Sequence, residues 1–151
     1  MDTVHFIDNQ GKRFYIYALI DTFTGVGYAE YRPHLYQKIS VCVTLNALRA
    51  FSYPISTIQT DNGGEFGESL YFFLSRKNIK LRHTRAGRPN DNAHIERFIG
   101  TIQEECFKGA LPDKKNVKQK LLNYISYYNS KRFHLGINCN TPYEFVAKLL
   151  T

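Results

Sequence analysis

A chain of 151 residues is about one domain, and its 43% hydrophobic and 15% aromatic content excludes a disordered segment. No apolar run approaches the roughly 20 residues of a membrane span, and the N-terminus lacks the basic and apolar regions of a signal peptide. Cys42, Cys106 and Cys139 are too scattered for a zinc knuckle or disulfide framework, so a cytoplasmic protein with reduced thiols is expected, and a net charge of +7 favours polyanionic partners.

Thr3 to Asp8 reads as a short strand, Asn9 to Lys12 as its turn, and Phe14 to Ile20 as an apolar strand buried on both faces. Val26 to Tyr31 completes an antiparallel meander. Ile39, Cys42, Leu45, Leu48 and Phe51 recur at helical spacing within Leu35 to Phe51, which predicts a helix with that stripe inward. A fourth strand, Ile55 to Thr60, ends at Asp61. Glu65 to Arg76 follows as a helix with Phe66, Leu70, Phe73 and Leu74 inward, and a fifth strand lies near Ile79 to Arg82. Local strands followed by alternating strands and helices make an α/β layer fold with a mixed sheet.

Thr84 to Asn92, with Gly87, Pro89 and two asparagines, is a loop. From His94, Ile95, Phe98, Ile99, Ile102 and Cys106 form one helical stripe, with Glu96, Gly100, Gln103 and Phe107 on an adjoining one. Glu96 thus sits at a helix edge, where it can project a carboxylate over the sheet. Asn116 to Asn129 is a further helix burying Val117, Leu121, Tyr124, Ile125 and Tyr128. A last one starts at Thr141, with Pro142 at its first position and Glu144 completing a capping box.

Three segments carry acids that can work together: Met1-Asp2-Thr3-Val4-His5-Phe6, Gln59-Thr60-Asp61-Asn62-Gly63-Gly64-Glu65-Phe66, and Asn92-Ala93-His94-Ile95-Glu96-Arg97-Phe98. Arg76, Lys77, Lys80, Arg82, Arg85, Arg88 and Arg97 all fall in the segment that leads into and just past Glu96. Phosphodiester transfer builds negative charge around phosphorus, and hard divalent ions held by carboxylates about 4 Å apart offset it. Such acids repel one another without metal, which should raise their pKa values. Asp21, ending the second strand, is a rival first acid and is read as a turn or capping residue. His5, His83 and His94 fit no zinc spacing.

These residues resemble the catalytic core of retroviral integrases and bacterial insertion-sequence transposases, whose active site is an Asp, Asp, Glu triad on a ribonuclease H-like fold. Asp61 and Glu96 are 35 residues apart, about the family's separation, and Tyr128 to Arg132 and Thr141 to Phe145 are similar to the tail of the bacterial cores. The resemblance covers almost the whole chain, 1–151, as one catalytic core domain. Because the chain begins almost on its first candidate acid, an excised core without an N-terminal DNA-binding module is expected.

The resemblance implies a five-stranded mixed sheet of order 3-2-1-4-5, which would bring Asp2 beside Asp61. It implies a DNA transposase or integrase in which Asp2, Asp61 and Glu96 hold two Mg²⁺ or Mn²⁺ ions and perform hydrolysis and strand transfer at element ends. Partners would be element-end and target DNA and further copies of the chain, as a dimer or higher assembly, with no membrane and with localisation at the bacterial nucleoid. Asn62 and Asn92 would orient ligands or phosphates, and Arg85, Arg88, Arg97 and Gln103 would contact DNA backbone. Retroviral integrases carry lysines where this chain has Gly100 and Gln103, a departure that favours the bacterial branch. Two other readings share these residues: a nuclease that never joins DNA, and a catalytically silent nucleic-acid-binding or assembly module.

Overall fold

The computed structural model describes residues 1–85, 91–108 and 114–151, with the side chains of residues 114 and 115 excepted. Strands β1 (Asp2–Ile7), β2 (Arg13–Ile20) and β3 (Gly27–Arg32) form the expected antiparallel meander, with Asp2 opposite Ala18 and Ala18 opposite Ala29. Helix α1 (Gln37–Ala50) leads to β4 (Thr57–Thr60), a 3₁₀ turn (Gly64–Phe66) and α2 (Glu68–Ser75). Strand β5 (Lys80–His83) then pairs parallel to β4. Helix α3 (Ala93–Thr101) runs into one π-helical turn (Ile102–Cys106), and α4 (Lys114–Ser130) and α5 (Pro142–Leu149) complete the chain. No helix among the described residues is long and apolar enough to cross a membrane.

The expected single sheet of order 3-2-1-4-5 is corrected: the strands form two sheets, β1-β2-β3 and β4-β5. The two meet where the Met1 nitrogen donates to the Gln59 carbonyl at 2.7 Å. A parallel ladder continuing from that bond would send the Thr3 N–H to the carbonyl of Asp61. Thr3 N–H instead donates to its neighbour's carboxylate, Asp2 Oδ1, at 2.7 Å. The Asp61 carbonyl accepts from Thr60 Oγ1 and His83 Nδ1, each at 2.9 Å. Side chains have taken the backbone groups that a ladder would use, so the sheets part at the two aspartates.

Alternation along β2 supplies two cores, one on each face. Phe14, Ile16 and Ala18 pack with Ala29 against Ile95, Phe98 and Ile102 and against Val117, Leu121 and Tyr128 of α4. Tyr17 and Leu19 pack with Val43, Ala47, Phe66, Leu70 and Leu74 on the other face. The buried stripe of α1 differs from the expected one: Ser40, Val43, Thr44 and Ala47 face inward, and Cys42 is exposed. Ile39, Leu45 and Leu48 are only partly buried along its flanks, whereas Phe51, just past its end, is buried as expected.

The π turn also shifts a side chain. Phe107 N–H reaches the carbonyl of Ile102, five residues back, which carries Phe107 over the buried stripe instead of the Glu96 edge. Phe107 is consequently buried and meets Phe6 edge-on at 5.4 Å. Thr141 and Glu144 form the expected capping box, with Glu144 N–H donating to Thr141 Oγ1 at 3.3 Å and Thr141 N–H to Glu144 Oε2 at 2.9 Å.

Candidate active site

Asp2 opens β1 and Asp61 directly follows β4, so the junction between the sheets sets two carboxylates side by side. Asp61 Oδ1 accepts the Gly63 N–H at 2.9 Å, a local turn that holds the carboxylate against its own backbone. Asp2 Oδ1 is fixed by the Thr3 N–H. The Asp2 carboxyl is held above the usual carboxylate range, chiefly by burial, with the charges of Asp61 and Glu65 adding to the shift and the Thr3 hydrogen bond opposing it. The expected repulsion between the acids is therefore present at Asp2, although desolvation is the larger cause.

Sequence reasoning missed part of this cluster. Glu65, read only as the start of a helix, lies on the 3₁₀ turn with Oε1 accepting from Thr3 Oγ1 at 2.7 Å. Gly63 is the reason it fits: a Cβ there would stand 2.6 Å from Glu65 Oε2 and 3.0 Å from Asp61 Oδ1. His83 also belongs here. A carbonyl can only accept, so the bond to Asp61 fixes the proton of His83 on Nδ1. The one available signal was Gly63, whose missing Cβ leaves room for an acid four residues beyond Asp61 to lie against it.

Glu96 lies exposed on the first turn of α3, its N–H bonded to the Asn92 carbonyl at 3.0 Å. Its carboxylate is not joined to the Asp2 and Asp61 pair, and no group of three His, Cys, Asp or Glu side chains stands ready to hold a metal among the described residues. Asp2 and Asp61 nonetheless fit a hard divalent cation by their own chemistry. Both present oxygen ligands, one is desolvated, and among the described residues neither has a Lys or Arg ion-pair partner. Asp21 is occupied otherwise, accepting from Phe23 N–H at 3.1 Å, Thr24 Oγ1 at 2.6 Å and Tyr53 OH at 2.7 Å.

The other expected residues are spread around this pair. Asn62 is exposed and donates to the Thr84 carbonyl at 3.3 Å. Arg85 is claimed by Asp91 through two guanidinium bonds of 3.0 and 2.9 Å, and Asp91 is held low, at about 2, by that pairing. Asn92 occupies the N-cap position of α3 but makes no side-chain cap bond. Arg97 and Gln103 are exposed. Arg88 lies outside the described residues. A cavity of about 350 Å³ lies beside the junction, lined in part by Met1, Asp21, Gln59, Asp91, Asn92 and Ile95. At its lining, Gln59 Nε2 donates to the Asp91 carbonyl at 2.6 Å.

This architecture is shared with known proteins. The chain is similar to the HTLV-2 integrase catalytic core domain solved in complex with magnesium, with a TM-score of 0.77 at 19% identity, covering 95% of this chain and 91% of that one. It is also similar to a chain of the simian T-cell lymphotropic virus intasome, with a TM-score of 0.82 at 19% identity over 95% of this chain and 51% of that one. These likenesses show the ribonuclease H-like fold of integrase cores. A protein assigned as the transposase InsK of insertion sequence element IS150 in Escherichia coli (strain K12) is 28% identical over 95% of this chain and 52% of its own length. The transposase of insertion sequence element IS904 from Lactococcus lactis is 32% identical over 61% of this chain and 38% of its own. The chain thus spans about half the length, or less, of these curated relatives. A sequence profile described as "Integrase core domain" matches residues 1–89, and a second of the same description matches residues 77–142. With a profile matched over more than half its length, the chain belongs to the integrase core domain family.

Proposed function

We propose that this chain is the catalytic core of a DNA transposase or integrase, which hydrolyses phosphodiesters at element ends and joins them to target DNA. The observation that carries the reading is the pair of carboxylates, Asp2 and Asp61, gathered at the junction of the two sheets with no Lys or Arg partner among the described residues. Magnesium or manganese, two ions when the site is loaded, would supply charge stabilisation around phosphorus. Asp2 and Asp61 would hold the first, and Glu96, on the first turn of α3, would complete the second with Asp2. Asn62, Asn92, Arg88, Arg97 and Gln103 would position DNA, and Arg85 would join them on exchanging Asp91 for a phosphate. Work on two element ends calls for at least two copies of the chain; the HTLV-2 integrase core was solved in dimeric and trimeric forms.

The test is a strand-transfer assay with the protein and labelled element-end DNA in Mn²⁺. Joined products that vanish in Asp61→Asn and in Glu96→Gln are expected. Nicked products without joining would assign a nuclease instead, and DNA binding with neither product would assign a silent module. Binding should weaken steeply with salt as counterions are released.

A further inference from the structure

We propose that Thr3 and Glu65 form a positioning pair that sets the spacing of Asp2 and Asp61, a step that rests on the metal-site reading above. Beyond the single Met1 to Gln59 bond that joins the two sheets, the Thr3 hydroxyl to Glu65 Oε1 bond of 2.7 Å ties β1 to the turn that follows Asp61. Both of its ends are anchored. Thr3 sits in the β1–β2 ladder opposite Tyr17, and Glu65 precedes Phe66, which is fully buried and meets the Tyr17 ring edge-on at 6.5 Å. Tyr17 therefore backs both ends of the clamp. Gly63 leaves the room in which the Glu65 carboxylate lies. In this role Glu65 binds through Thr3 to hold β1 in place, and Asp2 and Asp61 remain the ligands.

The experiment titrates Mn²⁺ into the purified chain by calorimetry, alongside a thermal melt without metal. The variants are Thr3→Val, Thr3→Ser, Glu65→Gln and Asp61→Asn. Thr3→Val removes the donor and should weaken Mn²⁺ binding about 10-fold, the usual order for a residue that orients ligands. Thr3→Ser restores the hydroxyl and should return affinity to within about threefold of the parent. Glu65→Gln keeps an accepting oxygen and should do the same. A Thr3→Val protein with parental affinity would overturn the clamp, and the metal reading would survive if Asp61→Asn still abolished binding. Affinity lost in Glu65→Gln but kept in Thr3→Val would make Glu65 a ligand in its own right, which also overturns the positioning role. A parent that takes up no Mn²⁺ would remove the metal site and the clamp together. Equal melting temperatures for Thr3→Val and Thr3→Ser, with affinities apart, separate positioning from general folding.

Discussion

Gly27 begins β3 at a point where the sheet has no space for a side chain. An added Cβ would lie 2.5 Å from Phe98 Cζ, 2.6 Å from its Cε2 and 3.1 Å from Tyr128 Cε1. Carbon atoms in contact prefer about 3.5–4.0 Å, so in Gly27→Ala the Phe98 ring must retreat by roughly 1 Å. It has little room to do so, being 1% exposed and packed on Tyr128 at 4.9 Å between centroids. The backbone of Gly27 is equally held. Its N–H donates to Asn129 Oδ1 at 2.9 Å and its carbonyl accepts from Asn129 Nδ2 at 2.7 Å.

Overpacking of this kind costs about 1–3 kcal/mol, and at this chain length each kcal/mol lowers Tm by about 2–4 °C. Gly27→Ala should therefore melt about 2–12 °C below the parent. Phe98→Leu alone should cost about 1 kcal/mol, and the double variant should be more stable than the sum of the two predicts, by about 1 kcal/mol. Urea unfolding of the four proteins gives the coupling directly. A Gly27→Ala protein melting within about 1 °C of the parent, or strict additivity with Phe98→Leu, would refute the argument that this ring fixes α3.

Asp2→Asn should stabilise the metal-free chain at neutral pH. The folded-state pKa of Asp2 is raised, so its contribution is full below the unfolded value of about 4 and is lost as pH rises through the folded value. The gain in Tm should accordingly be present at pH 7 and absent near pH 3, because there the parent carboxyl is neutral too. Asn129→Ala should cost about 2–5 kcal/mol, leaving the Gly27 N–H and carbonyl buried without partners, and hydrogen exchange at Gly27 should accelerate. Burial pushes the Cys106 thiol up to about 11, whereas Cys42 and Cys139 are exposed. A thiol reagent should label those two quickly and Cys106 only on unfolding, as peptide mapping by mass spectrometry would record.

Features set by neighbours along the chain could be read from sequence. The meander, the α5 capping box and the stripe Ile95, Phe98, Ile102 and Cys106 follow from turn residues, caps and helical period. Features set by competition across space could not. The sheet divides because the Asp2 carboxylate, the Thr60 hydroxyl and the His83 ring win backbone groups from a ladder, and no period reports that contest. In α1 the hydropathy stripe found Phe51 but placed Cys42 inside, where Ser40, Val43, Thr44 and Ala47 are buried instead. The resemblance implied a DNA contact for Arg85, and only its approach to Asp91, six residues on, shows the ion pair its guanidinium makes.

The break in the sheet and the acids at it are one feature seen from two sides. A ladder continued through Thr3 would occupy the Asp61 carbonyl and leave the Asp2 carboxylate without its N–H donor. Parting the strands at Asp2 and Asp61 instead leaves each carboxylate held by its own backbone, Asp2 by Thr3 and Asp61 by Gly63. The cost is an unzipped edge and a carboxyl displaced from its ordinary pKa, and both weigh against stability. The two cores flanking β2 offset that cost from a distance, since neither draws on the acids. A change that restored the ladder should therefore strengthen the fold and weaken the site, the opposition expected where a binding site is held in a conformation that the backbone alone would not choose.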